Sequence, residues 1–197
     1  MGTEKANYME TSDLDLVNRC ISGDKKCQEA LYKRFFSFAM SICIRYTKNN
    51  NDAIEVVNDS FMKVLDNLSS FDTSKPFIKW YAKILVNTAI DSYRKEAKHN
   101  STLSINSIID TEDVDPEIDT ELSANEILNL FNDLPESYRI TFNLYEIEGY
   151  SHDEIGKMLG VSESTSRSNL TRAKKMLRSL YIKQFNSVKQ NHEAVRP

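Results

Sequence analysis

Apolar residues recur along the chain at intervals of three and four, with few glycines or prolines to interrupt them. That spacing predicts helices, because residues three and four apart share a helix face. Ser12 or Asp13 can cap a first short helix carrying Leu14, Leu16, Val17, Cys20 and Ile21, stopped by Gly23. A second helix is expected from about Lys26 to Lys48, with Ala30, Leu31, Phe35, Phe38, Ala39, Ile42 and Tyr46 on its apolar face. The run Asn49-Asn50-Asn51 should end it. Asp52 should then open a third helix packed through Ile54, Val57, Phe61, Val64, Leu65 and Leu68. A turn from Ser69 leads to Pro76, a favoured first-turn residue, and to a fourth helix reaching about Ala97. Residues 1–12 read as a mobile tail.

Periodicity fades over 98–123, where Ser, Thr, Asp, Glu and Pro116 mark a linker. It returns at Ala124. Ile127, Leu128, Phe131 and Leu134 suit one helix closed by Pro135, and Tyr138 to Glu148 suits a second, stopped by Gly149. Ser151 with Glu154 has capping-box spacing before Ile155, Met158 and Leu159. After a turn at Gly160-Val161-Ser162, a longer helix is expected from Glu163 to about Lys183, with Leu170, Ala173, Leu177 and Leu180 at core spacing. The last dozen residues should fray. The predicted class is all-α: a helical domain at 13–98, a flexible linker at 99–123 and a second helical domain at 124–184.

Composition agrees with this pattern. Five Gly and four Pro in 197 residues, with the helical spacing, argue against a β-sandwich or barrel. No apolar run is long enough to span a bilayer, and the polar N-terminus has no signal-peptide core, so a cytoplasmic protein without stable membrane insertion is expected. Cys20, Cys27 and Cys43 match no zinc spacing with His99 or His152, so they read as reduced thiols packed as small hydrophobes, with no metal site.

The net charge of −4 conceals an asymmetry. Ten acidic residues and no Lys or Arg lie between Asn100 and Ser137; without that stretch, 25 basic residues face 19 acidic ones. The acidic run is either a solvated linker or a mimic of nucleic acid occupying a basic channel.

The segment Tyr150 to Arg178, YSHDEIGKMLGVSESTSRSNLTRAKKMLR, reads as a helix-turn-helix. Ile155 and Leu159 bury the first helix, Gly160 takes the left-handed turn, Val161 plugs the space between helices, and Ser162 caps the second. Ser164, Thr165, Arg167, Ser168, Thr171 and Arg172 can then reach bases or phosphates in a major groove, and Lys174, Lys175 and Arg178 extend the basic face. His152 reads as a solvated first-turn residue. The plain alternative is a bundle helix with solvated basic residues.

The fourth helix offers a second signal. Lys79, Lys83, Asn87 and Arg94 share one quarter of its circumference, opposite Phe77, Tyr81, Ile84, Leu85 and Thr88. Trp80 lies beside the stripe and Phe71 in the preceding loop. Cations for phosphates, rings for bases and an amide for an extruded base edge would suit single-stranded DNA. The plain alternative, and the commoner one for such residues, is that Phe77, Trp80 and Tyr81 are core and the lysines merely solvated.

Together these parts resemble a known family. Asp52-Ala-Ile-Glu-Val-Val-Asn-Asp-Ser-Phe-Met-Lys-Val64, then Phe71-Asp72, Trp80 and Val86-Asn-Thr-Ala-Ile-Asp-Ser-Tyr-Arg94, are similar to the extracytoplasmic-function (ECF) group of RNA polymerase sigma factors. So are Leu134-Pro-Glu-Ser-Tyr-Arg139, Glu148 to Ile155, and Arg172-Ala-Lys-Lys-Met-Leu177. The resemblance implies sigma region two in the first half, docking on the β′ coiled coil of bacterial core polymerase through Glu55, Asn58, Asp59 and Lys63. It implies −10 promoter contacts by Phe71, Lys79, Trp80, Lys83, Asn87 and Arg94, with Asn87 near a flipped-out base. The second half would be sigma region four, using Ser164, Thr165, Arg167, Ser168, Thr171, Arg172 and Lys175 on the −35 element and its other helices on the β flap. The acidic linker would thread the RNA-exit channel. Departures occur at Ile54, where an acid is usual, at Pro76, at Asn169, where Arg or Lys is frequent, and at Ser166, where Val is common. An anti-sigma factor is a further partner class that the resemblance brings in.

The activity expected is binding, with no cofactor; no phosphate loop or nucleophile motif suggests an enzyme. A stand-alone regulator would instead bind a palindrome as a dimer without polymerase. A decoy would lack a complete helix-turn-helix.

Overall fold

The computed structural model describes residues 11–99 and 129–193, with side chains described through Lys98 in the first stretch and Gln184 in the second. Every regular element among them is helical. The chain divides into two compact units, Met1–Ala97 and Lys98–Pro197. The predicted linker lies almost wholly outside the described residues, as do the first ten residues of the tail.

In the first unit, α1 (Asp13–Ile21) starts where Ser12 Oγ accepts from the Asp15 amide at 3.1 Å. Such a cap contributes about 1 kcal/mol. Leu16, Val17 and Cys20 are buried, whereas Leu14 and Ile21, expected on the same face, are exposed. A nine-residue helix has one narrow stripe against its neighbour, and these two residues fall on its flank. Helix α2 (Lys25–Cys43) is shorter than predicted, because the chain leaves it in tight turns through Tyr46, which stays buried. Helix α3 (Asn50–Asn67) begins earlier than Asp52. Asn49 is its N-cap, with Oδ1 accepting from the Asp52 amide at 3.0 Å, so the asparagine run starts the helix as well as separating it from α2. Val56 is buried in α3 and Ile54 is 38% exposed, a reversal of the expected packing.

A 3-10 turn at Leu68–Ser70 leads to Phe71 and then to α4 (Phe77–His99), which starts directly after Pro76. Aromatic packing ties α4 to α2: Phe35 lies 4.9 Å from Phe77 and 6.4 Å from Tyr81, centroid to centroid. All three cysteines are buried free thiols, as their use as small hydrophobes requires. Burial is the largest cause raising each thiol pKa, to about 12 for Cys20 and Cys43.

In the second unit, a helical turn at 129–132 precedes Pro135 and α5 (Glu136–Phe142). The single helix expected up to Glu148 does not persist. From Asn143 to Ile147 the backbone widens into a π turn, closed by the Glu148 amide donating to the Asn143 carbonyl at 3.0 Å. The extra residue per turn rotates the following side chains, leaving Tyr145 and Ile147 exposed. Next come α6 (His152–Leu159) and α7 (Glu163–Glu193). Helix α7 runs ten residues past the predicted Lys183, where no Gly or Pro interrupts the chain. Arg139 is buried on α5, and burial holds its guanidinium pKa below the ordinary value, opposed by Glu136.

Candidate nucleic-acid interface

The helix-turn-helix is built from α6, the turn and α7. The capping box is complete: Ser151 Oγ accepts from the Glu154 amide, and the Glu154 carboxylate accepts from the Ser151 amide at 2.8 Å. Gly160 ends α6 at φ 71°, where a Cβ would be strained, and the Val161 amide donates back to the Gly156 carbonyl at 3.0 Å. Ser162 Oγ accepts from the Thr165 amide at 3.1 Å and opens α7.

Two expectations fail here. Val161 is 37% exposed and does not plug the joint. The close approach comes from Gly156 instead: a Cβ there would sit 2.9 Å from the Val161 carbonyl oxygen and 3.5 Å from the Glu163 amide nitrogen. The missing side chain lets the turn fold onto α6. His152, expected in solvent, is buried. Its Nδ1 is hydrogen-bonded to Ser166 Oγ at 2.9 Å, and its ring stacks on Tyr145 at 4.4 Å and 19°.

The outer face of α7 carries the predicted groups. Ser164, Thr165, Arg167, Ser168, Thr171 and Arg172 are exposed, and Lys175 is partly so. The Ser164 and Thr165 hydroxyls each lie 2.8 Å from Ser162 Oγ, so they form part of the cap. Thr171 Oγ1 donates to the Arg167 carbonyl at 3.0 Å. Arg167 pairs with Glu163 one turn earlier, and Arg172 Nη1 reaches the Tyr138 hydroxyl at 3.4 Å. Asn169 is buried and does not join this face.

On α4, Lys79, Lys83, Asn87 and Arg94 are all exposed, and Phe77, Tyr81, Leu85 and Thr88 are buried opposite them. Trp80 is half-buried, with its ring 4.9 Å from Phe71 and 5.8 Å from Phe77. Phe71 differs from the other candidates: at 7% exposure its ring supports Trp80 and Phe77 and offers no face to a base in this conformation. On α3, Glu55, Asn58, Asp59 and Lys63 are exposed. Asn58 Oδ1 accepts from the Tyr32 hydroxyl at 2.7 Å, and Lys63 Nζ lies 3.2 Å from Asp91 Oδ2 on α4. Ile54 and Met62 extend the Asn58 row as exposed apolar neighbours. The four-residue spacing of 54, 58 and 62 was the available signal for that row.

These two constructions coincide with two family models. Sigma-70 region 2 matches residues 31–99, and Sigma-70 region 4 matches residues 124–177. The chain is 28% identical over 180 residues to the ECF RNA polymerase sigma-E factor of Haemophilus influenzae, covering 85% of this chain and 94% of the relative. It is 30% identical over 149 residues to the ECF sigma factor SigW of Bacillus subtilis, covering 70% of this chain and 79% of that one. The chain belongs to the ECF RNA polymerase sigma factors. As an alternative sigma factor it directs promoter-specific initiation, with core polymerase and promoter DNA as its partners. The solved sigma factor RpoE of Bartonella quintana, in complex with the anti-sigma factor NepR, aligns at 20% identity and a TM-score of 0.47 over 76% of this chain and 93% of that one. Among the described residues, no helix of this sigma factor is long and apolar enough to cross a membrane.

Burial, with Arg167 adding and Glu163 opposing, holds the His152 pKa below its ordinary 6.5. The unfolded chain therefore takes up a proton near pH 6.5 that the folded chain resists. Stability from this group is complete above that pH and is lost as pH falls toward the depressed folded value. Urea midpoints of the second unit should fall between pH 7.5 and 5.5, and His152→Phe should flatten that part of the slope.

Proposed function

We propose that residues 13–98 form the polymerase-docking and −10-reading domain, 99–123 the linker, and 124–184 the −35-reading domain. The observation that carries this assignment is the outward row Lys79, Lys83, Asn87 and Arg94 on α4, beside a half-buried Trp80. The lysines and arginine attract phosphates, Trp80 offers part of an aromatic ring, and Asn87 has both a donor and an acceptor for a displaced base. Phe71 and Phe77 hold Trp80 in place.

Docking on core polymerase falls to Glu55, Asn58, Asp59 and Lys63 on α3, with Ile54 and Met62 adding apolar contact. Binding to the −35 element falls to Arg167, Ser168, Thr171, Arg172 and Lys175, with Ser164 and Thr165 shaping the amino end of α7. The chain works by binding in the cytoplasm: contacts in the holoenzyme and capture of bases supply the free energy of melting, and no reaction is catalysed. A regulator of the anti-sigma class would act by covering the α3 or α7 face.

The test is run-off transcription with bacterial core polymerase, the purified chain and promoter fragments, with core alone as control. Chain-dependent starts sharing a two-part promoter support the assignment; dimeric binding to duplex without core would sink it. Arg172→Ala should weaken holoenzyme binding to the −35 element about 5- to 100-fold if the guanidinium pairs with a base, with relaxed preference at one position. A uniform loss across sequences with a shallower salt slope would identify a phosphate contact instead.

A further inference from the structure

Three side chains form a relay of contacts in the helix-turn-helix: Tyr145 stacks on His152, and His152 is hydrogen-bonded to Ser166. His152 is the first residue of α6, Ser166 lies in the first turns of α7, and Tyr145 belongs to the π turn that precedes both. Ser166 is fully buried and His152 nearly so, and the two are hydrogen-bonded at 2.9 Å. The stack on Tyr145 fixes the imidazole plane. Ser166 points inward while its neighbours Arg167 and Ser168 point outward, so whatever fixes Ser166 also fixes the rotation of α7 about its own axis.

We propose that His152 and Ser166 are a positioning pair that sets the rotation and tilt of α7, and thereby determines how sharply this sigma factor discriminates among −35 sequences. The inference rests on α7 being the −35 reader. The physical reason is the directionality of the bond. An apolar contact at this joint tolerates small rotations, because dispersion is non-directional. A buried hydrogen bond does not, since turning the hydroxyl away leaves a buried polar atom without a partner. Gly156 removes the bulk that would hold the turn off α6, so the distance between the helices is also fixed closely. Arg167 and Ser168 follow Ser166 directly, so a change in its rotation changes the direction in which both side chains point.

The test uses holoenzyme assembled from bacterial core polymerase and the full-length chain, bound to a promoter library randomised across the −35 element. The bound fraction is sequenced at two salt concentrations. Ser166→Ala and His152→Phe each remove one partner and keep the remaining packing. Each is expected to lower enrichment of the preferred −35 sequence roughly fivefold or more, with an unchanged salt slope, because the phosphate contacts remain. His152→Phe combined with Ser166→Val replaces the bond by apolar contact on both sides. It should restore thermal stability without restoring the full enrichment, because removing both partners relieves the unsatisfied group but not the loss of direction.

Single variants that melt earlier yet keep the wild-type enrichment would show a purely structural pair and overturn the proposal. Full recovery of enrichment in the double variant would overturn it too, since direction would then be dispensable. If the unchanged chain shows no −35 preference at all, the reading of α7 itself fails, and the proposal fails with it.

Discussion

Holoenzyme carrying Asn87→Ala should initiate roughly 10- to 100-fold less often than the parent at the same promoters, with core affinity unchanged. The magnitude follows from losing hydrogen bonds to a base edge, worth about 1–3 kcal/mol for a good bidentate pair. Asn87 is exposed on α4, so its removal opens no cavity. Alanine is also the better helix former, which leaves the fold intact. The proposed docking row lies on α3, so the loss should appear in open-complex formation, read by permanganate reactivity of the melted strand. A premelted template with an unpaired −10 element separates base capture from melting: a defect that persists there places Asn87 at the base itself. Unchanged transcription on duplex promoters would falsify the assignment.

Gly156→Val should destabilise the second unit by about 2–3 kcal/mol, the upper part of the ~1–3 kcal/mol typical of overpacking, because the atoms in the way are backbone. The Cβ alone would press on the Val161 carbonyl at 2.9 Å, and two methyl groups follow it. What must give is backbone, because the nearest atoms belong to the turn and to the amino end of α7. The expected result is an earlier melting transition for the second unit and reduced −35 selectivity, with melting of the first unit unaltered. Gly160→Ala is the natural comparison. Its Cβ would meet open space, so only the left-handed backbone resists, at roughly 1–2 kcal/mol. Calorimetry of the two variants beside the parent checks the order. Equal or smaller effects at Gly156 would remove the close-approach argument.

Much of this architecture was legible from local rules. The capping box at Ser151 and Glu154, the left-handed Gly160, the cap at Ser162 and the outward row on α4 depend on residues a few positions apart, and all are found as read. The family resemblance was legible for the same reason, since its motifs are short runs. What could not be read depends on partners distant in sequence or on small backbone changes. His152 resembles a solvated residue until Tyr145 and Ser166 are placed around it. Val161 and Gly156 exchange roles because the turn lies closer to α6 than spacing suggests. The π turn after Phe142 adds one residue to a helix whose apolar pattern gives no warning of it. Phe71 lies in a loop, where exposure is the default expectation, but its neighbours are Phe77 and Trp80.

The three enclosed sulfurs give the first unit a built-in chemical clock. Cys20 and Cys43, with pKa values pushed up to about 12, hold almost no thiolate at neutral pH, and all three side chains are closed to reagent. Alkylation by iodoacetamide must therefore wait for the unit to open. Its rate under native conditions should be lower than in urea by a factor that tracks the opening equilibrium. Mass spectrometry of the labelled chain would count openings of the first unit alone, because the second contains no cysteine. Repeating the count with core polymerase bound would convert the change in labelling rate into the stabilisation that docking confers.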